Sequence, residues 1–395
     1  MVQRMQYDRW LLLITLLLTA FGALMVYSST SVITPAFARK NITQFFYLKR
    51  HILTILLSLA FLFISMRMRI TTLKKAAIPL LVFSFLLLVV VFVPKIGVSA
   101  GGARRWIRLW PSTFQPSELV KIAMVVYLAR YLSSPSFSTD KILSFLQPIG
   151  IMAVFQVVFL MQPDFGAAMS LGLLTITMLV ISGVRMKYIM YLSLLAIPLI
   201  VKLAMNPYRL KRILSFLNPW DDPQGAGFQL TQSFIALGSG GLAGVGLGQS
   251  KQKLSFLPEV HTDFIFSIVG EELGFIGALF LVFLFLMLFL RGTKIAQRMT
   301  DTFSYHLVSG LSTMIALQAM INFFVTTGLV PTKGLPLPFI SYGGSSLLIS
   351  MVAVGLLLNL SRCQGDGIIT DKAIVLTDRK KTSPAVYGRK PEANR

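Results

Sequence analysis

The sequence predicts an all-α polytopic membrane protein of about ten transmembrane helices, and three observations predict it. Of 395 residues, 55% are hydrophobic and only 13% are charged, where a soluble chain carries about a quarter charged residues. Mean hydropathy is +0.72. Apolar stretches close to the roughly 20 residues that cross a bilayer recur from one end to the other.

The candidate spans centre near residues 10–29, 48–66, 76–94, 118–134, 146–161, 164–182, 188–205, 264–290, 304–328 and 342–361. The first follows Arg4 and Arg9 and so mimics a secretory signal. Its apolar run is long, however, and no small-residue cleavage site follows Tyr27, so it reads as a retained helix. A net charge of +22 in a soluble protein points to nucleic acid. Here the charges lie in short runs between spans, as at Arg67, Arg69, Lys74 and Lys75, and no nucleic-acid partner is expected. With an even helix count, the side holding both termini carries Lys and Arg roughly twice as densely as the other, so both termini are expected to be cytoplasmic. The single cysteine, Cys363, excludes an intramolecular disulfide, and His51, His261 and His306 show no zinc spacing.

Four segments break the pattern of short loops. Residues 30–50 include the aromatic-basic run Phe45–Arg50, suited to the headgroup plane. Residues 95–117 are rich in Gly, Arg and Trp. Residues 206–262 form one long extracytoplasmic loop between the seventh and eighth spans, and a loop of that length is functional or disordered. Its apolar and aromatic residues, among them Tyr208, Phe216, Trp220, Phe228 and Phe256, predict that it folds onto the membrane domain. Residues 1–363 therefore read as one membrane domain, and 364–395 as a disordered basic cytoplasmic tail able to touch anionic membrane lipids.

Ionisable groups inside a bilayer need a partner, a wet cavity or a function. Asp263 closes the long loop and opens the eighth span. It reads equally as a helix N-cap or as a carboxylate held where the headgroup of a lipid-linked substrate would sit. Glu118 and Lys121 are one helical turn apart and read as a local ion pair or as a polar cavity wall. Asp164 follows Pro163 and reads as a cap. Glu271 and Glu272 lie between Gly270 and Gly274, a spacing that permits close helix approach, and are expected to face the bundle interior. The glycine-rich run 238–248 is a weak phosphate signal, lacking both the strand of a dinucleotide site and the lysine of a P-loop. Arg104, Arg105, Arg108, Arg209, Lys211 and Arg212 sit on the exterior side, against the positive-inside trend. They invite a diphosphate or plain contact with lipid headgroups.

These residues resemble the SEDS family of FtsW, RodA and SpoVE. The matching stretches are Arg105-Trp106, Phe114-Gln115-Pro116-Ser117-Glu118 with Lys121, Gln162-Pro163-Asp164, Tyr208-Arg209 with Arg212, and Gly227-Phe228-Gln229 to Gln232-Ser233. They continue through Gly246-Leu247-Gly248, Leu257-Pro258-Glu259, His261-Thr262-Asp263-Phe264-Ile265, Glu271-Glu272-Leu273-Gly274 and Leu335 to Ser345. Pro331-Thr332-Lys333-Gly334 and the run 249–254 look most like the division-associated branch.

The resemblance implies a multi-pass protein of the bacterial inner membrane, at the division septum. It implies a peptidoglycan glycosyltransferase that polymerises lipid II, a disaccharide-pentapeptide on undecaprenyl diphosphate. Asp263 matches the family's essential aspartate, and Trp106, Glu118 and Lys121 match its polar cavity. On that reading Arg105, Arg209, Arg212, His261, Lys333 and Ser341 are further substrate-binding candidates, and a divalent cation (Mg2+ or Mn2+) is a possible cofactor. The implied partners are a class B penicillin-binding protein transpeptidase and other membrane proteins of the division machinery. A flippase for the lipid-linked precursor is the rival reading, and a recruiting scaffold the third.

Overall fold

The structure, a computed structural model, describes residues 7–30, 45–100, 103–109, 112–205, 207–225, 227–253, 261–331 and 334–362. Cys363 and the tail 364–395 lie outside the described residues, as does Lys333. All ten expected spans are helices: α1 (Arg9–Thr30), α2 (Phe45–Ser65), α3 (Ile70–Val90), α4 (Pro116–Leu132), α5 (Ile142–Met161), α6 (Phe165–Ile181), α7 (Met186–Ala204), α10 (Ile265–Gln297), α11 (Thr302–Thr326) and α12 (Gly344–Arg362). Seven of these, among the described residues, are long and apolar enough to cross a membrane. The shorter ones are α4, α6 and the apolar part of α7.

Two segments expected as loops carry structure of their own. Residues 95–117 hold an antiparallel sheet, β1 (Gly97–Ala100), β2 (Ala103–Leu109) and β3 (Ser112–Phe114). The helical class thus holds with one small sheet added. In the long loop lie α8 (Pro207–Leu217), a 3-10 turn (Pro219–Asp221) and α9 (Phe228–Gly240). Helix α9 packs along α10, so this loop does fold onto the bundle.

Burial sorts the helices into an inner and an outer set. The best apolar windows of α12 and α11 are 78% and 72% buried inside the protein, against 22% and 28% for α2 and α3. Inner helices carry side chains buried on all faces, whereas outer ones leave an apolar face for lipid. Helix α4 belongs to the inner set, since 14 of its 17 residues are buried, and it packs on α3, α6, α11 and α12.

Local chemistry explains several boundaries. Pro116 opens α4, where its missing N–H costs nothing. Asp164 caps α6 by accepting from the Ala167 amide at 3.1 Å, and Asp301 caps α11 by accepting from Ser304 at 3.0 Å. Pro79, Pro148 and Pro198 lie inside α3, α5 and α7, as transmembrane helices tolerate.

Helix α10 is broken at Gly274, whose φ of 67° and ψ of −167° suit glycine alone. The glycine-rich loop after α9 fills the break. Val245 and Gly246 donate to the Glu271 and Glu272 carbonyls, both at 3.0 Å, and Phe275 donates back to the Gly241 carbonyl at 2.9 Å. Unpaired backbone groups inside a membrane domain are costly, and the two glycine-rich segments satisfy each other.

Candidate functional site

The site is organised by the segment between α11 and α12, Leu335-Pro336-Leu337-Pro338-Phe339-Ile340-Ser341-Tyr342. Two prolines keep it from becoming helix, yet Leu335, Leu337, Phe339, Ile340 and Ser341 are all buried. A buried irregular strand must find partners for its backbone, and polar side chains of α11 supply several. Gln318 Nε2 donates to the Pro336 carbonyl and to Ser346 Oγ, each at 2.9 Å. Asn322 Nδ2 donates to the Leu335 carbonyl and to the Asp263 carbonyl, each at 2.8 Å.

The same segment grips the residues leading into α10. Ser341 Oγ accepts from the Leu337 amide at 2.8 Å and donates to the Thr262 carbonyl at 2.5 Å. The Tyr342 amide donates to the His261 carbonyl at 2.8 Å. The His261 ring lies 5.4 Å from Tyr47 and 5.7 Å from Tyr342, with His51 5.8 Å from Tyr342, so the first turns of α2 close over this corner. Burial pushes the Tyr342 hydroxyl above its ordinary pKa, while the Arg50 charge pulls the other way.

Asp263 is not the cap of α10. The cap position belongs to Phe264, which makes no side-chain cap bond, because the chain turns into the helix one residue later than the sequence pattern implied. Asp263 is half-buried, and its Oδ2 faces Gly334 across the space where a side chain would begin. His261, Ser341 and Asp263 therefore meet in one place.

Glu118 and Lys121 form a second, buried centre. Lys121 Nζ lies 2.8 Å from Glu118 and donates to Gln318 Oε1 at 2.5 Å, and both charged side chains are 3% exposed. Through Gln318 this pair reaches Pro336 and hence the segment that carries the site. The ion-pair reading and the cavity-wall reading describe the same residues: the pair is closed, and it supports the segment next to Asp263.

Trp106 stands half-buried on β2, opposite Val98. Arg105 donates to the Gln162 and Pro163 carbonyls at 3.3 and 2.5 Å, where orphan carbonyls at the end of α5 attract a cation. Its charge anchors the sheet to the bundle, while Arg104 and Arg108 on the same strand are exposed. Arg209 and Arg212 fall within α8, and their side chains lie outside the described residues.

Glu271 and Glu272 do face the interior, at 2% and 0% exposure, and both hold the glycine-rich loop. Glu271 accepts from Ser250 Oγ and from the Lys251 amide, and Glu272 accepts from Ser28 and pairs with Lys253 at 3.4 Å. Within the run 238–248 considered for phosphate, the amides of Val245 and Gly246 are spent on α10. Among the described residues, no group of three His, Cys, Asp or Glu gathers as a metal site.

Asn322, Gln318 and Gly334 were missed by the sequence reading, which weighed charges and overlooked amides. One signal was present. Gln318 and Asn322 stand four apart in an apolar span, hence on one face, and polar groups there need a purpose.

This bundle and its buried polar segment can be set beside known proteins. The family model described as cell cycle protein, FtsW/RodA/SpoVE, matches residues 8–365. The chain belongs to this family. A probable peptidoglycan glycosyltransferase FtsW of Geobacter sulfurreducens is 46% identical over 362 residues, covering 90% of this chain and 95% of the relative. The stage V sporulation protein E of Bacillus subtilis is 42% identical, covering 90% and 96%. Among solved structures, a chain of a peptidoglycan synthase complex that coordinates polymerization and crosslinking matches with a TM-score of 0.74 at 27% identity, covering 91% of this chain and 98% of that one. The rod shape determining protein RodA of Thermus thermophilus matches at 0.67 and 26%, with the same coverage. Membership in the FtsW/RodA/SpoVE family and the repeated apolar helices establish a multi-pass membrane protein.

Proposed function

We propose that this chain is a peptidoglycan glycosyltransferase that polymerises lipid II into glycan strands for septal wall synthesis. Family membership supports the reaction class, and the relatives' names support the division role. The observation that carries the reading is a contrast in exposure. Glu118, Asp164, Glu271 and Glu272 are 0–3% exposed and committed to caps or buried pairs, while Asp263 stands half-buried at a corner built of side chains from α2, α11 and the 334–343 segment.

In the proposed reaction a sugar hydroxyl of one substrate attacks the anomeric carbon of another. A carbon–oxygen bond forms there as the bond to the diphosphate breaks, and undecaprenyl diphosphate leaves. The hydroxyl proton passes to the Asp263 carboxylate, acting as general base. A single displacement inverts an α-linked donor to a β-linked product. The leaving diphosphate requires cations: Arg104 and Arg108 are exposed on the sheet, and Arg209, Arg212 and Lys333 remain candidates. Lys121 serves instead by holding Glu118 and Gln318 in place. Were a divalent cation such as Mg2+ or Mn2+ to bind, the Asp263 carboxylate would be the protein group to hold it, and it would supply charge neutralisation for the leaving diphosphate.

Both termini are proposed to be cytoplasmic, with the sheet, the long loop and Asp263 facing outward. A class B penicillin-binding protein is the proposed partner, supported by the likeness to a synthase complex that both polymerises and crosslinks. Closure of Glu118 and Lys121 on each other weakens the flippase alternative, which needed them as a polar path. The test is synthesis of glycan strands from lipid II by the purified full chain in detergent, with its transpeptidase, where no bilayer is crossed. Wild type should make polymer and Asp263→Asn, equally well folded, should make it about 10²–10⁴-fold more slowly. Full activity in Asp263→Asn would falsify the assignment of the base.

A further inference from the structure

The conformation around Gly334 poses a question that backbone geometry does not answer. Glycine is usually demanded where φ is positive, but Gly334 is outside that region, unlike Gly274 or Gly328. What the position requires is space. A Cβ added there would lie 2.6 Å from Asp263 Oδ2, well inside van der Waals contact. On its other side the segment rests on α6, since a Cβ on Gly166 would meet the Leu335 side chain at 3.2 Å and the Gly334 carbonyl at 3.4 Å. Gly334 is thus an exposed wedge, its carbonyl toward α6 and the position of a Cβ toward the carboxylate.

Asn322 sets the depth of that wedge. Its side-chain amide has two N–H groups, and they bond the carbonyls on either side of the gap: Asp263 and Leu335, each at 2.8 Å. The residue is 1% exposed, and its Oδ1 has no hydrogen-bond partner. A buried orphan acceptor is unfavourable, so the side chain is explained by its two donors. Rotating the amide breaks both bonds together. Asn322 thus ties residue 263 directly to residue 335, beside the grip of Ser341 and Tyr342 on residues 261–262, and with that tie goes the fit of Gly334 against Asp263.

We infer that Asn322 and Gly334 are positioning residues for the Asp263 carboxylate: Asn322 as a clamp between the two strands and Gly334 as the clearance that lets the carboxylate point at the substrate. This rests on the glycosyltransferase reading, in which Asp263 is the base. A carboxylate is the far end of a rotatable side chain, so a methyl at 334 displaces it without disrupting the fold. Gly334→Ala therefore separates position from stability.

The experiment measures lipid II polymerisation by the full chain with its transpeptidase, alongside melting temperature. Gly334→Ala should lower kcat by about 100-fold, the scale expected for a misplacement near 1 Å, with KM within about twofold and melting temperature unchanged. Asn322→Leu, of similar shape, should lower kcat beyond its loss of folded protein. In an Asp263→Asn background neither change should add a further loss. Wild-type kcat in Gly334→Ala, losses in Asn322→Leu that follow only the folded fraction, or additive losses in the Asp263→Asn background would overturn the inference. A second arm is independent of activity: in a Cys363→Ser background, the Asp263→Cys thiol is labelled with a soluble maleimide, with and without Gly334→Ala or Asn322→Leu. A severalfold change in labelling rate supports the clamp, and equal rates overturn it. If wild type makes no glycan, the proposed activity fails and the thiol arm alone decides the positioning.

Discussion

Helix α10 and the turn ahead of it carry acids of two kinds within one short stretch. Glu271 and Glu272 are fully buried in the helix beside the break at Gly274, each surrounded by donors from residues 250–253 or from α1. Asp263, just ahead of the helix, is half-buried and held through its own backbone and that of its neighbours. The first arrangement uses charge to close a structure, since a buried acid tolerates its surroundings only when paired. The second keeps the backbone rigid and leaves the residue half-buried at an edge. Acidity alone does not mark a reactive group in such a bundle; the manner of its support does.

Substitutions can break or sharpen this contrast. The largest effect is expected at Asp263→Asn, which should reduce lipid II polymerisation by about 10²–10⁴-fold, the usual worth of a general base, with melting temperature unchanged. Next, Glu272→Gln should leave Lys253 buried without its counter-charge and destabilise the protein by about 3 kcal/mol. Adding Lys253→Met should restore part of that loss in detergent-melting measurements. Gly274→Ala should cost about 1–3 kcal/mol of stability for a strained positive φ, and its Cβ would also meet the backbone of Leu242 and Gly244. Smallest is Asp164→Ala, which removes the α6 cap and should cost about 1 kcal/mol while glycan synthesis by the folded fraction stays near normal. If Asp164→Ala abolished synthesis without loss of stability, the division between structural and reactive acids would need redrawing.

Much of the site was legible because its residues are chemically rare here. A chain with 15 acidic residues draws attention to each acid placed against a span; Asp263 and Glu118 stand out on those grounds, and Lys121 by standing one helical turn from Glu118. The cap at Asp164 was equally readable, since Pro163-Asp164 ahead of an apolar run has a known local geometry. Asp263 shows the limit of that logic. It has a cap's residue type and position, yet the helix begins one residue later, at a place set by the grip of Ser341 and Tyr342 on residues 261–262. The small sheet went unseen because β1 and β3 are only four and three residues long and β2 carries three arginines, in a Gly-rich stretch that resembles a loop.

What the sequence by itself determined was the solvent of each segment: long apolar runs must enter lipid, and rare charges must sit at edges or in pairs, whatever the fold. Which edge becomes a site, and which arginine anchors while another stays exposed, was decided only when α4, α11 and α12 packed around the 334–343 segment. The reason is distance along the chain. The bonds that position Asp263 and its neighbour Thr262 span 59 and 79 positions, and no local pattern encodes a partner so remote.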